Sequence, residues 1–210
     1  MRLRITLLCC GLSAFLGATG LARATPPPAL AWAPAEGANL LGTAAPEWQG
    51  LRWLQGGPLT LAGLRGHPVL VRFWTDGCSL CARSAPALED LWRRYRERGL
   101  VVVGIHHPKS QASRDPAAVQ RAAHALGMTF PMATDREWET LRRYGVGTTF
   151  TAYTSVSFLI DKSGIIRFVH DVGELHPGGG AGNQAGAAAF TALEATLRQL
   201  LGAATGPDGR

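Results

Sequence analysis

The sequence is short of cysteine, of aromatic residues and of charge. It has 4 cysteines in 210 residues, with 8% aromatic and 17% charged side chains. Two of those cysteines, Cys9 and Cys10, fall within the opening stretch "MRLRITLLCCGLSAFLGATGLARA". A basic start, an apolar middle and an Ala22-Arg23-Ala24 ending have the layout of a secretory signal peptide cleaved after Ala24. Its removal leaves Cys78 and Cys81 as the only thiols, which excludes a framework of several disulfides. An uncleaved inner-membrane anchor facing the periplasm is the alternative for this segment, and no later apolar run is long enough to span a bilayer. The expected location is therefore periplasmic or secreted.

Strong charge is missing as well. Arg2, Arg4 and Arg23 supply three of the formal +6, so the chain beyond Ala24 carries +3. So mild a balance gives no footprint for nucleic acid or an anionic membrane surface. No internal repeat is present, and the length suits one well-cored domain. The expected organisation is a signal peptide over 1–24, an Ala- and Pro-rich flexible linker over 25–40, one domain over 41–202 and a disordered tail over 203–210.

Within the domain, apolar bursts broken by Gly and Pro over 40–66 predict a small hairpin and turn. "VLVRFW" at 69–74 and "LVVVGI" at 100–105 are nearly continuous apolar runs, the signature of buried strands. Between them Cys81, Ala85, Leu88, Leu91, Trp92 and Tyr95 recur at helical spacing, predicting a helix over 78–98 that ends at Gly99. Glu89/Arg93 and Asp90/Arg94 lie one turn apart on its other face, so the arginines of 93–98 read as solvated. A second helix is predicted over 115–127 and a short one near 136–144. "VSFLID" and "IIRFVH" flank Lys162-Ser163-Gly164 as a hairpin, 176–187 reads as a mobile loop, and 188–201 forms an amphipathic last helix. The predicted class is α/β: a central mixed β-sheet flanked by helices, parallel βαβ plus a C-terminal hairpin.

Cys78 falls where a strand gives way to a helix, and Cys81 sits one turn on. Three residues apart at a helix start, the two can approach disulfide distance. Cys78 also meets unpaired N–H groups and the positive end of the helix dipole, which favour a thiolate. The residues therefore point to a redox dithiol, with Cys78 as nucleophile and Cys81 resolving. Two other readings of the pair remain open. A zinc site would need two further ligands, and no second CxxC or HxxxH accompanies it. An inert disulfide closing so short a loop would stabilise little.

The segment "VLVRFWTDGCSLCARSAPALEDLWRRY" resembles the active-site region of thioredoxin-fold proteins, specifically the TlpA/ResA-like envelope redoxins of the AhpC/TSA-redoxin superfamily. Pro86 lies five residues after Cys81, where that fold kinks its helix. "GLVVVGIHHPKSQASRDPAAVQRAAHALGMTFPMATD" and "SVSFLIDKSGIIRFVH" follow in the family's order, and "GTAAPEWQ" with "PLTLAGLRGHPVLV" resembles its N-terminal extension. The resemblance covers about 40–175. It implies a thioredoxin-like fold and thiol:disulfide exchange with protein disulfides or dithiols. It also implies a membrane electron donor or acceptor, with no cofactor and no metal.

Four residues depart from the family. Arg72 stands where thioredoxin has a buried acid, Ser84 where many relatives have a glutamate, and Gly77 where a tryptophan often precedes the first cysteine. Ser155 replaces the cis-proline before the "FLID" strand. A cis bond without proline costs about 2.5–4 kcal/mol, so a trans bond and a hydroxyl beside the dithiol are expected there. Proton transfer is left unassigned. His106 or His107, at the C-terminal end of the second strand, is on the same rim as Cys78. Either one tunes the thiols or both are solvated loop residues. Trp74 reads as packing beside the site, and Asp76 as a turn or capping residue. Thr75, three residues before Cys78, matches a peroxidase TxxC pattern, although Val71 replaces its proline. A thiol peroxidase is thus the alternative enzyme. A copper-handling module using Cys78, Cys81 and His106 or His170 is the non-enzyme alternative.

Overall fold

The computed structural model describes residues 37–147, 154–170, 173–178 and 184–202. The expected signal peptide, most of the expected linker and the expected tail lie outside them. Among the described residues, no helix is long and apolar enough to cross a membrane.

Six strands form one sheet. They are β1 (Leu51–Gln55), β2 (Val69–Trp74), β3 (Val101–His106), β4 (Met132–Asp135), β5 (Ser157–Ile160) and β6 (Ile166–His170), in the order β1-β4-β3-β2-β5-β6. β2, β3 and β4 run parallel, whereas β1, β5 and β6 pair antiparallel to their neighbours. Four helices accompany them: α1 (Ser79–Tyr95), α2 (Pro116–Ala125), α3 (Glu139–Arg143) and α4 (Gln184–Leu201).

The two crossovers β2-α1-β3 and β3-α2-β4 step in the same direction, so right-handed connections put α1 and α2 on one face. The alternation of β2 divides the core accordingly. Leu70 and Trp74 pack with α1, α2 and α4, while Val69, Val71 and Phe73 pack with Leu141, Tyr144 and Trp48 on the other side. Arg72 has the parity of Leu70 and Trp74, so its side chain enters the α1 face and is only 1% exposed. The expected helical stripe of α1 is borne out, with Cys81, Ala85, Leu88, Leu91 and Tyr95 all buried.

Three sequence-based expectations need correction. The N-terminal segment makes no hairpin: β1 is a lone edge strand that pairs with β4, some eighty residues later. The second apolar burst, "PLTLAGL", instead turns at Leu61, where the Glu47 carboxylate accepts the Leu61 and Ala62 amides at 2.7 and 2.9 Å. β4 itself was not foreseen, because "MATD" is too short and too polar to show a period. α4 starts at Gln184, inside the segment read as a loop.

Candidate active site

β2 ends at Trp74, and Thr75-Asp76-Gly77 turns the chain into α1. Gly77 holds φ at 70°, in the left-handed region where a Cβ is unfavourable, which accounts for glycine in place of tryptophan. Cys78 is extended (φ −85°, ψ 111°) and serves as the N-cap of α1: its Sγ accepts the Cys81 amide at 3.2 Å. Cys78 is half-buried and Cys81 buried, and both are free thiols. A shallow cleft of about 330 Å³, lined by residues 75–80, Lys109 and Ser155, opens onto Cys78.

Ser155 holds the two sulfurs together. The described backbone has its one cis peptide at Gly57-Pro58, so Thr154-Ser155 is trans as expected. The Ser155 Oγ lies 2.8 Å from Cys81 Sγ and 3.5 Å from Cys78 Sγ. Burial opposes ionisation of Cys78, but hydrogen bonds from Cys81, Ser155 and the Cys81 and Leu80 amides outweigh it. Its pKa falls below that of an ordinary thiol. Burial pushes the Cys81 thiol up, against the charge of Arg72 and the bond from Ser155. Ionisation is therefore favoured at Cys78 over Cys81, the asymmetry a nucleophile and a resolving cysteine require.

Beneath the dithiol lies Arg72. Its Nη1 donates to Ser157 Oγ at 3.1 Å, and its Nη2 to Ser84 Oγ at 3.5 Å and to the Gly173 carbonyl. Ser84 in turn donates to the Leu80 carbonyl and accepts the Leu175 amide, both at 2.8 Å. Sequence reading identified Arg72 and Ser84 only as missing acids. The structure shows them bound to one another.

Neither histidine is a solvated loop residue: His106 and His107 are both fully buried. His106 Nε2 meets Asp76 Oδ1 at 3.0 Å and its Nδ1 meets Thr134 Oγ1 at 3.3 Å, so both ring nitrogens are occupied away from the sulfurs. His107 Nε2 bonds Thr154 Oγ1 at 2.6 Å, one residue before Ser155. Burial lowers the His106 pKa despite Asp76, and lowers that of His107 to about 3. Asp76 thus anchors the lip of the cleft to His106. Trp74 packs edge-on to His106 with centroids 4.9 Å apart, and its Nε1 points at the Met132 sulfur. Thr75 is buried, and its hydroxyl has no partner among the described residues. His170 ends β6 and is buried, with its pKa lowered to about 3 by burial and by Arg72. Among the described residues, no cluster of three or more His, Cys, Asp or Glu is arranged to hold a metal ion.

The model of the AhpC/TSA family matches residues 41–169, which include both cysteines, Arg72 and Ser155. The chain belongs to the AhpC/TSA family. Among its relatives, thiol-disulfide oxidoreductase ResA of Geobacillus thermodenitrificans is 31% identical over 127 residues, covering 60% of this chain and 67% of ResA. Protein DipZ of Mycobacterium bovis is 32% identical over 129 residues, 60% of this chain. The chain spans only 18% of DipZ. The fold is that of thioredoxin-like proteins. It superposes on the thioredoxin domain of a thiol-disulfide oxidoreductase from Bacteroides vulgatus with a TM-score of 0.55 at 20% identity, covering 74% of this chain and 96% of that one. A thiol:disulfide interchange protein from a Bacteroides species gives a TM-score of 0.56 at 20% identity, over 80% and 95% of the two chains.

Proposed function

We propose that this chain is an extracytoplasmic thiol:disulfide oxidoreductase whose substrates are protein disulfides or dithiols. The observation that carries the reading is the placement of two free thiols within one helical turn, Cys78 on the cleft and Cys81 buried behind it. The Cys78 thiolate attacks a substrate disulfide, forming a mixed disulfide and releasing one substrate thiolate. Cys81 then loses its proton and attacks the Cys78 sulfur. That closes the Cys78–Cys81 bond and frees the second substrate thiolate, which takes up a proton. The substrate is reduced by two electrons and the enzyme oxidised by two. The same steps run backward when the enzyme acts as oxidant.

The shallow cleft suits an extended polypeptide lying across Cys78 better than a small molecule enclosed in a pocket. The signal-peptide layout of residues 1–24 supports a place outside the cytoplasm, where a membrane electron donor or acceptor would reset the dithiol. Ser155 bridges both sulfurs and passes hydrogen-bonding support from one to the other as charge moves between them.

Insulin serves as the test substrate. The unaltered chain should cleave insulin disulfides with dithiothreitol as reductant, and Cys78→Ser should abolish this. Cys81→Ser should accumulate a covalent Cys78–insulin adduct, seen by mass spectrometry and released by reductant. Hydrogen peroxide consumption that depends on Cys78, without insulin cleavage, would replace this reading with the peroxidase one.

A further inference from the structure

The resolving cysteine faces a difficulty that the nucleophile does not. Cys81 is 4% exposed, and burial raises its pKa, yet it must become a thiolate to displace substrate from Cys78. Among the described residues that hydrogen-bond around it there is no carboxylate to take its proton. Ser155 and the main chain are neutral, and the positions where a carboxylate was expected hold Arg72 and Ser84.

Strand parity drives Arg72 into the α1 face of the sheet, the face that holds Cys81. Ser84 follows Cys81 by three residues, so the two lie on one side of the helix, and Ser84 receives one arm of the guanidinium. Ser157 follows Ser155 by two, so both project from the same face of the chain entering β5, and Ser157 receives another arm. The guanidinium is therefore clamped between the two elements that carry Cys81 and its hydroxyl partner. Burial lowers the Arg72 pKa, and the neighbouring sulfurs, Cys81 ahead of Cys78, oppose this and favour the charged guanidinium.

We propose that Arg72 is the positioning residue of the resolving step, holding a fixed positive charge against Cys81 while its sulfur becomes the attacking thiolate. This rests on the reading of Cys78 and Cys81 as an exchanging pair. An acid in this place would work by accepting the Cys81 proton. A guanidinium accepts none and stays charged throughout, so it works by stabilising the anion. The proton leaves by way of the Ser155 hydroxyl and is taken up by the second substrate thiolate as it departs from Cys78. The S–S bond between Cys78 and Cys81 forms, the bond from Cys78 to substrate breaks, and no other oxidant or reductant takes part.

Removing the charge leaves less Cys81 thiolate. The gain in nucleophilicity of a less acidic thiol recovers only about half of that loss on a logarithmic scale. Rapid mixing of the reduced chain with oxidised glutathione, acid quenching and intact-mass analysis separate formation of the Cys78–glutathione adduct from its decay. In Arg72→Met, decay should slow at least tenfold, and by more than formation slows. Arg72→Gln keeps polar contact with the serines but not the charge, and should give the same result should Arg72→Met not fold. Arg72→Lys keeps a positive charge without the forked attachment, and its adduct should decay more slowly than in the unaltered chain but faster than in Arg72→Met. Decay unchanged in Met and Gln, or as slow in Lys as in Met, would overturn the role of Arg72. Cys81→Ser separates the two claims: if it traps no adduct, the exchange reading fails, and if it traps one while Arg72 variants decay normally, only the Arg72 role fails.

Discussion

The hydroxyl of Ser155 lies 2.8 Å from the sulfur of Cys81, at the position where the family resemblance leads one to expect a proline. The same oxygen reaches Cys78 at 3.5 Å, so one side chain supports both sulfurs. A hydrogen bond to a charged group is worth about 1.5–3 kcal/mol, and one pKa unit corresponds to about 1.4 kcal/mol. Ser155→Ala should therefore raise the Cys78 pKa by about one unit or more, read from thiolate absorbance near 240 nm against pH. An unmoved titration would make Ser155 a bystander.

His106 should behave differently. Its ring nitrogens are taken by Asp76 and Thr134, so His106→Gln should leave the Cys78 titration within a few tenths of a unit. It should instead lower stability by about 1–3 kcal/mol, the range for leaving a buried partner unsatisfied, measured by urea unfolding. A Cys78 pKa that moves by a full unit would restore the histidine to proton transfer.

Acid should destabilise the fold through two other rings. His107 and His170 are held neutral by burial, each with a pKa lowered to about 3. Unfolded, they titrate near 6.5, so between those values the unfolded chain binds protons that the folded chain does not. Stability is fully present above about pH 6.5 and falls as pH drops, by about 1.4 kcal/mol per unit for each ring. Urea midpoints at pH 7, 6, 5 and 4 should trace this decline, and His170→Asn should flatten it. Equal slopes in both proteins would contradict the assignment.

A pair of neighbouring carboxylates on α1 offers a stability contrast. Glu89 is buried and accepts the Thr129 amide at 2.8 Å and its hydroxyl at 2.6 Å, besides pairing with Arg93. Asp90 is half-exposed and pairs with Arg94. Glu89→Ala should cost about 2 kcal/mol, because it strands a donor on the segment leading into β4. Asp90→Ala should stay within about 0.5 kcal/mol. Chemical denaturation of the two variants makes the comparison.

Local signals carried much of this structure. Val69–Trp74 appears as a strand with the bounds its apolar run predicts, and the α1 stripe is buried as its spacing requires. The serine beside the dithiol was legible because its place relative to the "FLID" strand is short-range. Less visible were features that depend on distant partners. β1 looks like half of a hairpin in sequence, yet its edge is satisfied by β4. His106 looks like a loop residue before Pro108, yet Asp76 and Thr134 enclose it from two other segments. Arg72 could be seen in the sequence as a substitution. Its use required knowing that Ser84 and Ser157 arrive on either side of it.

Cys78 is both the more exposed of the two thiols and the cap of its own helix, through the bond its sulfur accepts from the Cys81 amide. A sulfur engaged in a disulfide has no negative charge and is a poor acceptor, so every covalent state of the cycle weakens the side-chain cap of α1 and leaves the Ala82 amide bond to the Cys78 carbonyl to hold its first turn. Catalysis is thereby coupled to a loss of capping that reduction reverses. The exchange rate of the Cys81 amide proton with solvent becomes an internal gauge of the oxidation state, slow in the dithiol and fast in the adduct and the disulfide.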